Sequence, residues 1–243
     1  MISFDVLKRI SAKDQTTEMN IAREYLQNLF LSYFYQNEYT EHILFKGGTA
    51  LRIIHQSPRY SEDLDFTALR IKADNVENAV KKTIDDIGRE GLNVRMTESK
   101  FTSGGYLGIV ESTIGEFETR IQIEVSMRSP GKAQEKEGNV VLITSQFMPP
   151  YTLSSLSDDA IVSEKICALL ARKKPRDFFD LYFILRSRLS RKTVAEHKEK
   201  LILETRSIDN KEIGRELKVF LPRKHWNILG NFREQLIREL ERA

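Results

Sequence analysis

The sequence predicts an α+β protein, in which a small mixed sheet with helices on one side is followed by a helical bundle. Two observations lead to this prediction. The first half contains a strand–turn–helix–strand pattern and then several runs that alternate between polar and apolar residues, as strands do. The second half shows helical spacing of apolar residues, beginning after Pro149-Pro150. We therefore expect a sheet-containing domain over residues 1–150 and a helical domain over residues 151–243 that closes a cleft.

The composition is typical of a globular protein. Of the 243 residues, 40% are hydrophobic and 30% are charged, and no apolar run is long enough to span a membrane. The N-terminus lacks the basic and apolar segments of a secretion signal, and the single cysteine, Cys167, excludes an internal disulfide. We therefore expect a cytoplasmic protein with no membrane partner. The net charge of +3 is compatible with an RNA or nucleotide partner but does not predict one.

Two amphipathic helices flank the central unit of the first half. Residues 17–37 and 74–90 each repeat apolar residues at the helical period, so each is predicted to pack one face against the core.

Residues 43–66 combine an apolar strand, a glycine turn, a short helix and a second strand. Gly47 and Gly48 allow the backbone to turn sharply and to approach a ligand closely, because neither has a Cβ atom. A helix that begins directly after such a turn directs main-chain N–H groups towards whatever lies in front of it, and phosphate suits that position. Lys46 and Thr49 flank the glycines, and the turn predicts a phosphate-binding site. Lys46 is either a lysine at the edge of the turn or one that approaches triphosphate oxygens.

Two aspartates, Asp63 and Asp65, begin the second strand of this unit. In an extended chain both point to one face, whereas Leu64 and Phe66 point to the other. Two neighbouring carboxylates repel each other and call for a cation or a proton, and oxygen ligands suit Mg²⁺. A Gly-Gly pair or an Asp-X-Asp pair alone is more often structural. Their combination in one short unit favours a nucleotide site.

Three or four strand-like runs follow the second helix, and the last of them covers residues 140–144. Residues 92–101 and 105–113 predict a hairpin across Ser103-Gly104-Gly105, and these glycines are better explained as a turn than as a phosphate loop. Residues 119–127 alternate cleanly and place Glu124 on their polar face. Glu124 is either a third carboxylate of the site or a solvent-facing strand residue. Three carboxylates could hold two metal ions about 3.5–4 Å apart.

Two segments resemble the AbiEii-type nucleotidyltransferase toxins of type IV toxin–antitoxin and abortive-infection systems: Lys46-Gly47-Gly48-Thr49-Ala50-Leu51 and Ser61-Glu62-Asp63-Leu64-Asp65-Phe66. These toxins are similar to polymerase-β-like nucleotidyltransferases, in which a Gly-Gly or Gly-Ser turn precedes an Asp-X-Asp pair and a further acidic residue follows on a later strand. The resemblance implies a polymerase-β-like sheet. It implies that Asp63, Asp65 and Glu124 hold Mg²⁺, and that Ser61 joins Lys46 and the glycine turn in binding nucleotide. Arg59 is a candidate by its position only.

The resemblance extends into the second half, to Lys165 and to Arg176-Asp177-Phe178-Phe179-Asp180-Leu181. It implies that Lys165 contacts nucleotide phosphates and that Asp177 takes part in catalysis or positions a partner. The residues alone also allow Asp177 to cap a helix or to pair with Arg176 or Lys173. Asp180 could pair with Arg176 at i, i+4 spacing, so we assign it a structural role.

The remainder of the second half is predicted to be helical. Residues 158–173, 191–204, 209–220 and 228–242 show the helical period, and the first of these places Cys167 in the core. Three groups of basic residues either line an RNA path or form solvated helix faces: 172–174, 191–192 and 223–224.

The resemblance implies a toxin that transfers a nucleoside monophosphate from a nucleoside triphosphate to the 3′ end of tRNA, with a cognate antitoxin encoded nearby. Three alternatives stay open. The acceptor could be a protein hydroxyl, the chain could be a nucleotide-binding or RNA-binding module without turnover, or it could be a phosphotransferase that uses the same metal site.

Overall fold

The computed structural model describes residues 2–127 and 138–243. The described helices are α1 (Phe4–Asp14), α2 (Glu18–Phe34), α3 (Gly47–Ile53), α4 (Ala73–Arg89), α5 (Asp158–Arg172), α6 (Pro175–Ser187), α7 (Arg191–Ala195), α8 (Lys198–Arg206), α9 (Asn210–Leu217) and α10 (Phe232–Arg242). The described strands are β1 (Ile43–Lys46), β2 (Asp63–Ala68), β3 (Val94–Thr102), β4 (Gly105–Ile114), β5 (Phe117–Ser126), β6 (Asn139–Ile143) and β7 (Tyr151–Ser155).

The chain forms two compact units. The sheet unit comprises Met1–Gln56 and Tyr60–Leu156, and the helical unit comprises Ser57–Arg59 and Ser157–Ala243. The first unit therefore ends at Leu156 and not at the predicted residue 150. The reason is that β7, which the sequence did not predict, is a strand of the sheet beside β1. The predicted α+β class, with the sheet first and the helices after it, is confirmed.

The seven described strands form one mixed sheet in the order β3-β4-β5-β2-β1-β7-β6. β2 runs parallel to β5, and β1 runs parallel to β7. The other neighbouring pairs are antiparallel, including β1 with β2 and the predicted hairpin of β3 with β4. This topology brings β1, β2 and β5 side by side, and these strands carry Lys46, the two predicted aspartates and Glu124.

The core of the sheet unit lies between one face of the sheet and the helices α2 and α4. The rings of Phe34, Phe45 and Phe66 are fully buried there, and the Phe66 centroid lies 5.4 Å from each of the other two. Side chains alternate along a strand, so Phe66 on this face directs Asp63 and Asp65 to the opposite face. The hydrophobic core thereby orients the two carboxylates.

The helical unit has a core of its own. The rings of Phe179 and Phe232 stack within it, with their centroids 6.2 Å apart. The predicted helix over residues 191–204 is divided into α7 and α8. Cys167 is exposed, so its predicted place in the core was wrong. None of the described helices combines the length and the apolar composition that crossing a membrane requires.

Candidate active site

The glycine turn lies against the aspartate motif. β1 leads directly into α3 at Gly47, whose φ of 84° is in the left-handed region that favours glycine. A Cβ atom at this position would lie 2.0 Å from Oδ2 of Asp65, which is a severe overlap. The close approach that the sequence predicted for a ligand is therefore, in this structure, an approach to the carboxylate of Asp65.

We expect Gly47→Ala to lower the free energy of unfolding by about 1–3 kcal/mol, because the new methyl group meets both a positive φ and the Asp65 side chain. Chemical denaturation of the parent and the variant measures this loss. Gly214→Ala is the matched control, since no atom lies within 4 Å of a Cβ there. It should be neutral or stabilising by up to about 1 kcal/mol, as expected for a helix interior. Equal effects at the two positions would contradict the argument.

Three charged residues form a row across the sheet. Lys46 on β1 is the register partner of Asp65 on β2, and Asp65 is the register partner of Glu124 on β5. Paired residues in neighbouring strands direct their side chains to the same face. The row therefore places one ammonium group and two carboxylates beside one another, as the predicted site requires. The placement of Glu124 follows from the parallel pairing of β2 with β5.

Asp63 lies two residues before Asp65 on β2 and belongs to the same polar face. It is the register partner of Gln122, whose amide nitrogen donates a hydrogen bond to Oε1 of Glu124. Asp63 and Asp65 are partly exposed, whereas Leu64 between them is fully buried, so the predicted division of the two faces is confirmed. Gln122 was not predicted as a site residue. Its place two residues before Glu124 on an alternating strand is the only sequence signal that it gives.

A depression of about 380 Å³ lies over this face. It is within the size range of small-molecule sites. The residues that line it are Lys46, Asp65, Phe66, Thr102, Gly104, Gly105, Tyr106, Leu107, Gln122, Glu124, Val125 and Ser126. The turn between β3 and β4 thus forms part of its wall, although it is a plain hairpin turn as predicted. A larger depression of about 480 Å³ lies around Arg95, Glu111 and Thr119, and it contains none of the motif residues.

The donor chemistry of the polar face fits Mg²⁺. Asp63 and Asp65 offer carboxylate oxygens, and Glu124 lies in the adjacent strand. Within residues 2–127 and 138–243, no group of three or more His, Cys, Asp or Glu is arranged to hold a metal ion by itself. Magnesium, however, is commonly held by one or two carboxylates together with substrate phosphates. Asp63 and Asp65 meet this smaller requirement.

Hydrogen bonds from α2 and α3 position the start of β2. The hydroxyl of Thr49 is fully buried and donates to the main-chain carbonyl of Asp63. The side-chain amide of Gln27 donates to the carbonyl of Ser61 at 3.0 Å. In this structure, the Thr49 hydroxyl therefore positions an aspartate, and the residue as a whole is buried. Ser61 is partly exposed.

A second set of contacts holds Tyr60 and Glu62, the residues on either side of Ser61. The Arg52 guanidinium lies 4.0 Å from the ring centroid of Tyr60 and is paired with Glu24, which is almost fully buried. Arg23 pairs with Glu62 at 3.3 Å. Sequence reasoning missed these residues. The sequence carried no clear signal for them, because Glu24 and Gln27 lie off the apolar stripe of α2, on a side that in an amphipathic helix usually faces solvent, yet both are buried.

Asp180 is the centre of a buried charge cluster in the helical unit. Its carboxylate accepts two hydrogen bonds from the guanidinium of Arg59, at 2.8 and 2.9 Å, and one from Nζ of Lys165 at 2.7 Å. Burial would raise the pKa of Asp180, but the positive charges of Arg59 and Lys165 outweigh it and lower the pKa to about 2. The predicted structural role of Asp180 agrees with this position. Its predicted partner, Arg176, was wrong, since Arg176 lies near Glu216 at 3.7 Å.

Asp177 is also buried, and its contacts are local. Both of its carboxylate oxygens accept hydrogen bonds from Arg172, at 2.7 and 2.8 Å, and one also accepts from the main-chain N–H of Lys174 at the start of α6. These contacts cap α6 and join it to α5. The capping alternative that the sequence left open is therefore present, although the paired cation is Arg172 and neither Arg176 nor Lys173.

Comparison with known proteins agrees with the two motifs. A family model described as nucleotidyl transferase AbiEii toxin, type IV TA system, matches residues 29–243. The fold is similar to that of MenT4, a nucleotidyltransferase toxin from Mycobacterium tuberculosis H37Rv, with a TM-score of 0.69, 14% sequence identity, and coverage of 100% of this chain and 91% of MenT4. It is also similar to JHP933 from Helicobacter pylori, with a TM-score of 0.55, 20% identity, and coverage of 93% and 95%.

These structural similarities show the fold alone, and no curated protein matches the chain in sequence. The family model, by contrast, covers most of the chain and both of its motifs. The chain therefore belongs to the AbiEii family of nucleotidyltransferase toxins, which act in type IV toxin–antitoxin systems.

Proposed function

We propose that this toxin transfers a nucleoside monophosphate from a nucleoside triphosphate to the hydroxyl at the 3′ end of tRNA, with Mg²⁺ as the cofactor. The observation that carries the proposal is the row of Lys46, Asp65 and Glu124, with Asp63 beside it, on the open face of the sheet. This row combines oxygen donors for a cation with a cation for phosphate. Nucleotidyl transfer requires both in one place.

The triphosphate is bound by Lys46 and by the main chain at Gly47, which are partly exposed, whereas Gly48 and Thr49 are buried and shape the turn. Lys46 supplies a positive charge at the edge of the depression that Asp65 and Glu124 also line. The helix that follows has only seven residues, so the proposal depends on Lys46 and the glycine backbone and not on a helix dipole. Ser61, partly exposed two residues before Asp63, adds a hydroxyl that can donate to a phosphate oxygen.

The acceptor hydroxyl attacks the α-phosphorus, the bond from that phosphorus to the bridging oxygen of the β-phosphate breaks, and pyrophosphate leaves. Glu124 is exposed at the depression and accepts the proton of the attacking hydroxyl. Its hydrogen bond from Gln122 orients the carboxylate. Asp63 and Asp65 would hold Mg²⁺, with Glu124 completing its ligands where phosphate does not. Mg²⁺ would then neutralise charge on the triphosphate and polarise the reacting phosphoryl group.

Lys165 and Asp177 enter the proposal through the family resemblance. We assign Lys165 to the nucleotide phosphates, and its ion pair with Asp180 holds the ammonium group in place. We assign Asp177 to positioning, because Arg172 and the start of α6 already occupy both of its oxygens. Both residues belong to the helical unit.

The test is an incubation of the purified toxin with Mg²⁺, total tRNA, a protein extract and each α-labelled nucleoside triphosphate in turn. We expect label on tRNA with one or a few of the nucleotides and none after chelation by EDTA. Label on a protein band would show that the acceptor is a protein and not tRNA. Triphosphate binding without transfer to any acceptor would indicate a binding module. A parallel incubation uses γ-labelled nucleoside triphosphates, and transfer of label from these alone would indicate a phosphotransferase. We also place the reaction in the cytoplasm, where tRNA and the antitoxin of this system are made.

A further inference from the structure

The positive charge of the chain is concentrated in its second half. Residues 157–243 contain 20 Lys and Arg against 14 Asp and Glu, whereas residues 1–156 contain 18 against 21. The overall charge of +3 is therefore the sum of a basic helical unit and an acidic sheet unit. Such asymmetry is typical of proteins in which one part contacts a polyanion.

One helix face collects several of these charges. Lys211, Arg215 and Lys218 are spaced by four and three residues along α9 and its C-terminal cap, which places them on one side of the helix. All three are exposed, while Ile213 and Leu217 are buried on the other side. The chain then continues into the exposed pair Arg223 and Lys224 at the start of a short 3-10 helix. We call these five cations the α9 basic face.

Among the described residues, the cations of the α9 basic face form no ion pair with a carboxylate, although Glu212 and Glu216 lie on the same helix. In the part of the chain that the structure describes, no Asp or Glu side chain lies within 4.0 Å of the charged group of any of these five residues. Like charges at these helical spacings repel each other. A helix dipole favours cations in the last turn, which accounts for Arg215 and Lys218, but it disfavours Lys211 in the first turn. The helix dipole therefore does not explain the position of Lys211.

An aromatic ring lies among these cations. Nζ of Lys218 is 5.3 Å from the centroid of the Trp226 ring, and the indole N–H donates to the carbonyl of Leu221 at 3.0 Å. Trp226 is partly exposed, so part of its ring surface is accessible. Cations beside an accessible aromatic ring are typical of surfaces that bind a nucleic-acid backbone and an unstacked base.

We propose that the α9 basic face binds the phosphate backbone of the RNA acceptor. The proposal deepens the proposed function and rests on it for the identity of the acceptor. RNA fits better than an acidic protein segment, because the partly exposed indole beside Lys218 can stack on a base, which an acidic peptide lacks. The face contributes binding energy to the whole acceptor and takes no part in the chemical step. Weakening it should therefore raise KM for tRNA and leave kcat unchanged.

The test compares two triple variants that remove the same number of charges. Lys211→Gln/Arg215→Gln/Lys218→Gln changes the α9 basic face, and Lys81→Gln/Arg89→Gln/Arg95→Gln changes three exposed cations of the sheet unit. The control residues each pair with a carboxylate. Binding of a fluorescein-labelled tRNA is measured by anisotropy at several salt concentrations, without nucleotide. Circular dichroism checks folding, and glutamine is a good helix former, so α9 should stay intact.

For the face variant, we expect the Kd for tRNA to rise at least tenfold near 0.15 M salt. The slope of the logarithm of the association constant against the logarithm of the salt concentration should fall in magnitude by about 2 to 3. The control should change Kd less than threefold. Equal effects of the two variants, or a face variant that binds tRNA as the parent does, would overturn the proposal. The same anisotropy measurement is made with fluorescein-labelled poly-glutamate. A face variant that loses poly-glutamate binding but binds tRNA as the parent does would overturn the proposal in favour of an acidic protein partner.

The same variants separate this proposal from the proposed function. If the parent transfers label to tRNA and the face variant has the parent's KM for tRNA, the α9 basic face does not bind the acceptor. The proposed reaction is then still supported. If the parent labels no RNA, the proposed reaction is wrong, and tRNA anisotropy alone then decides whether the face binds RNA.

Discussion

We expect Asp65→Asn to reduce nucleotidyl transfer by a factor of about 10³ or more, which corresponds to roughly 4 kcal/mol of transition-state stabilisation. The asparagine keeps the size of the side chain and removes the negative charge. Asp65 is adjacent to both Lys46 and Glu124 in the sheet, so it is the central member of the row. Initial rates of label transfer at saturating nucleotide and tRNA measure the effect.

The variant should remain folded. The removed charge is attracted by Lys46 and repelled by Asp63 and Glu124, so the two effects offset each other, and we expect the free energy of unfolding to change by less than about 1 kcal/mol. Glu118→Gln is the control, because Glu118 is exposed on the same strand as Glu124 but lies at the other depression. It should retain the parent's rate within about twofold. If the folded Asp65→Asn variant kept more than a tenth of the parent's rate, Asp65 would not be a catalytic residue.

The largest expected effect on stability belongs to Asp180. We expect Asp180→Asn to lower the free energy of unfolding by about 3–5 kcal/mol at pH 7, because it leaves the guanidinium of Arg59 buried without a counter-charge. Urea denaturation measures the loss, and Glu212→Gln, an exposed change on α9, is the control. Replacing the cluster as a whole, with Arg59→Met, Lys165→Met and Asp180→Leu together, should cost less than Asp180→Asn alone.

The same cluster predicts a pH dependence. The pKa of Asp180 is about 2 in the folded protein, below the value of about 3.9 that is usual for an aspartate. A lowered pKa contributes stability that is fully present above the unfolded value and is lost as the pH falls towards the folded value. The difference in stability between the parent and Asp180→Asn should therefore shrink between pH 4 and pH 2. A difference that is constant over this range would show that the Asp180 carboxylate is not held ionised by Arg59 and Lys165.

The local features of the site could be predicted from the sequence, because they depend on neighbouring residues. Alternation alone places Asp63 and Asp65 on the face opposite Phe66, and the glycine turn is evident from Gly47-Gly48. The pairing of Asp65 with Glu124 could not be derived from alternation, since it requires β2 to lie parallel to β5 in one register. The family resemblance supplied Glu124 through the order of the motifs.

The contacts that were missed join residues distant in the chain. Arg59 and Asp180 are 121 positions apart, and no local pattern links them. A local rule pointed instead to Arg176, one helical turn before Asp180, which was wrong. β7 was missed for a related reason. Tyr151-Thr152-Leu153-Ser154-Ser155 is short and only weakly apolar, and its place beside β1 is a tertiary property.

The central claim is that the polar face of β1, β2 and β5 transfers a nucleoside monophosphate to RNA. The most direct measurement is mass spectrometry of a defined tRNA after incubation with the toxin, Mg²⁺ and one nucleoside triphosphate, with pyrophosphate measured in the same reaction. We predict that the 3′-terminal fragment gains the mass of one or more nucleoside monophosphates, with one pyrophosphate released for each addition, and that Asp65→Asn yields neither product. The claim would be contradicted if the folded parent toxin left the tRNA unmodified and released no pyrophosphate with every nucleotide tested.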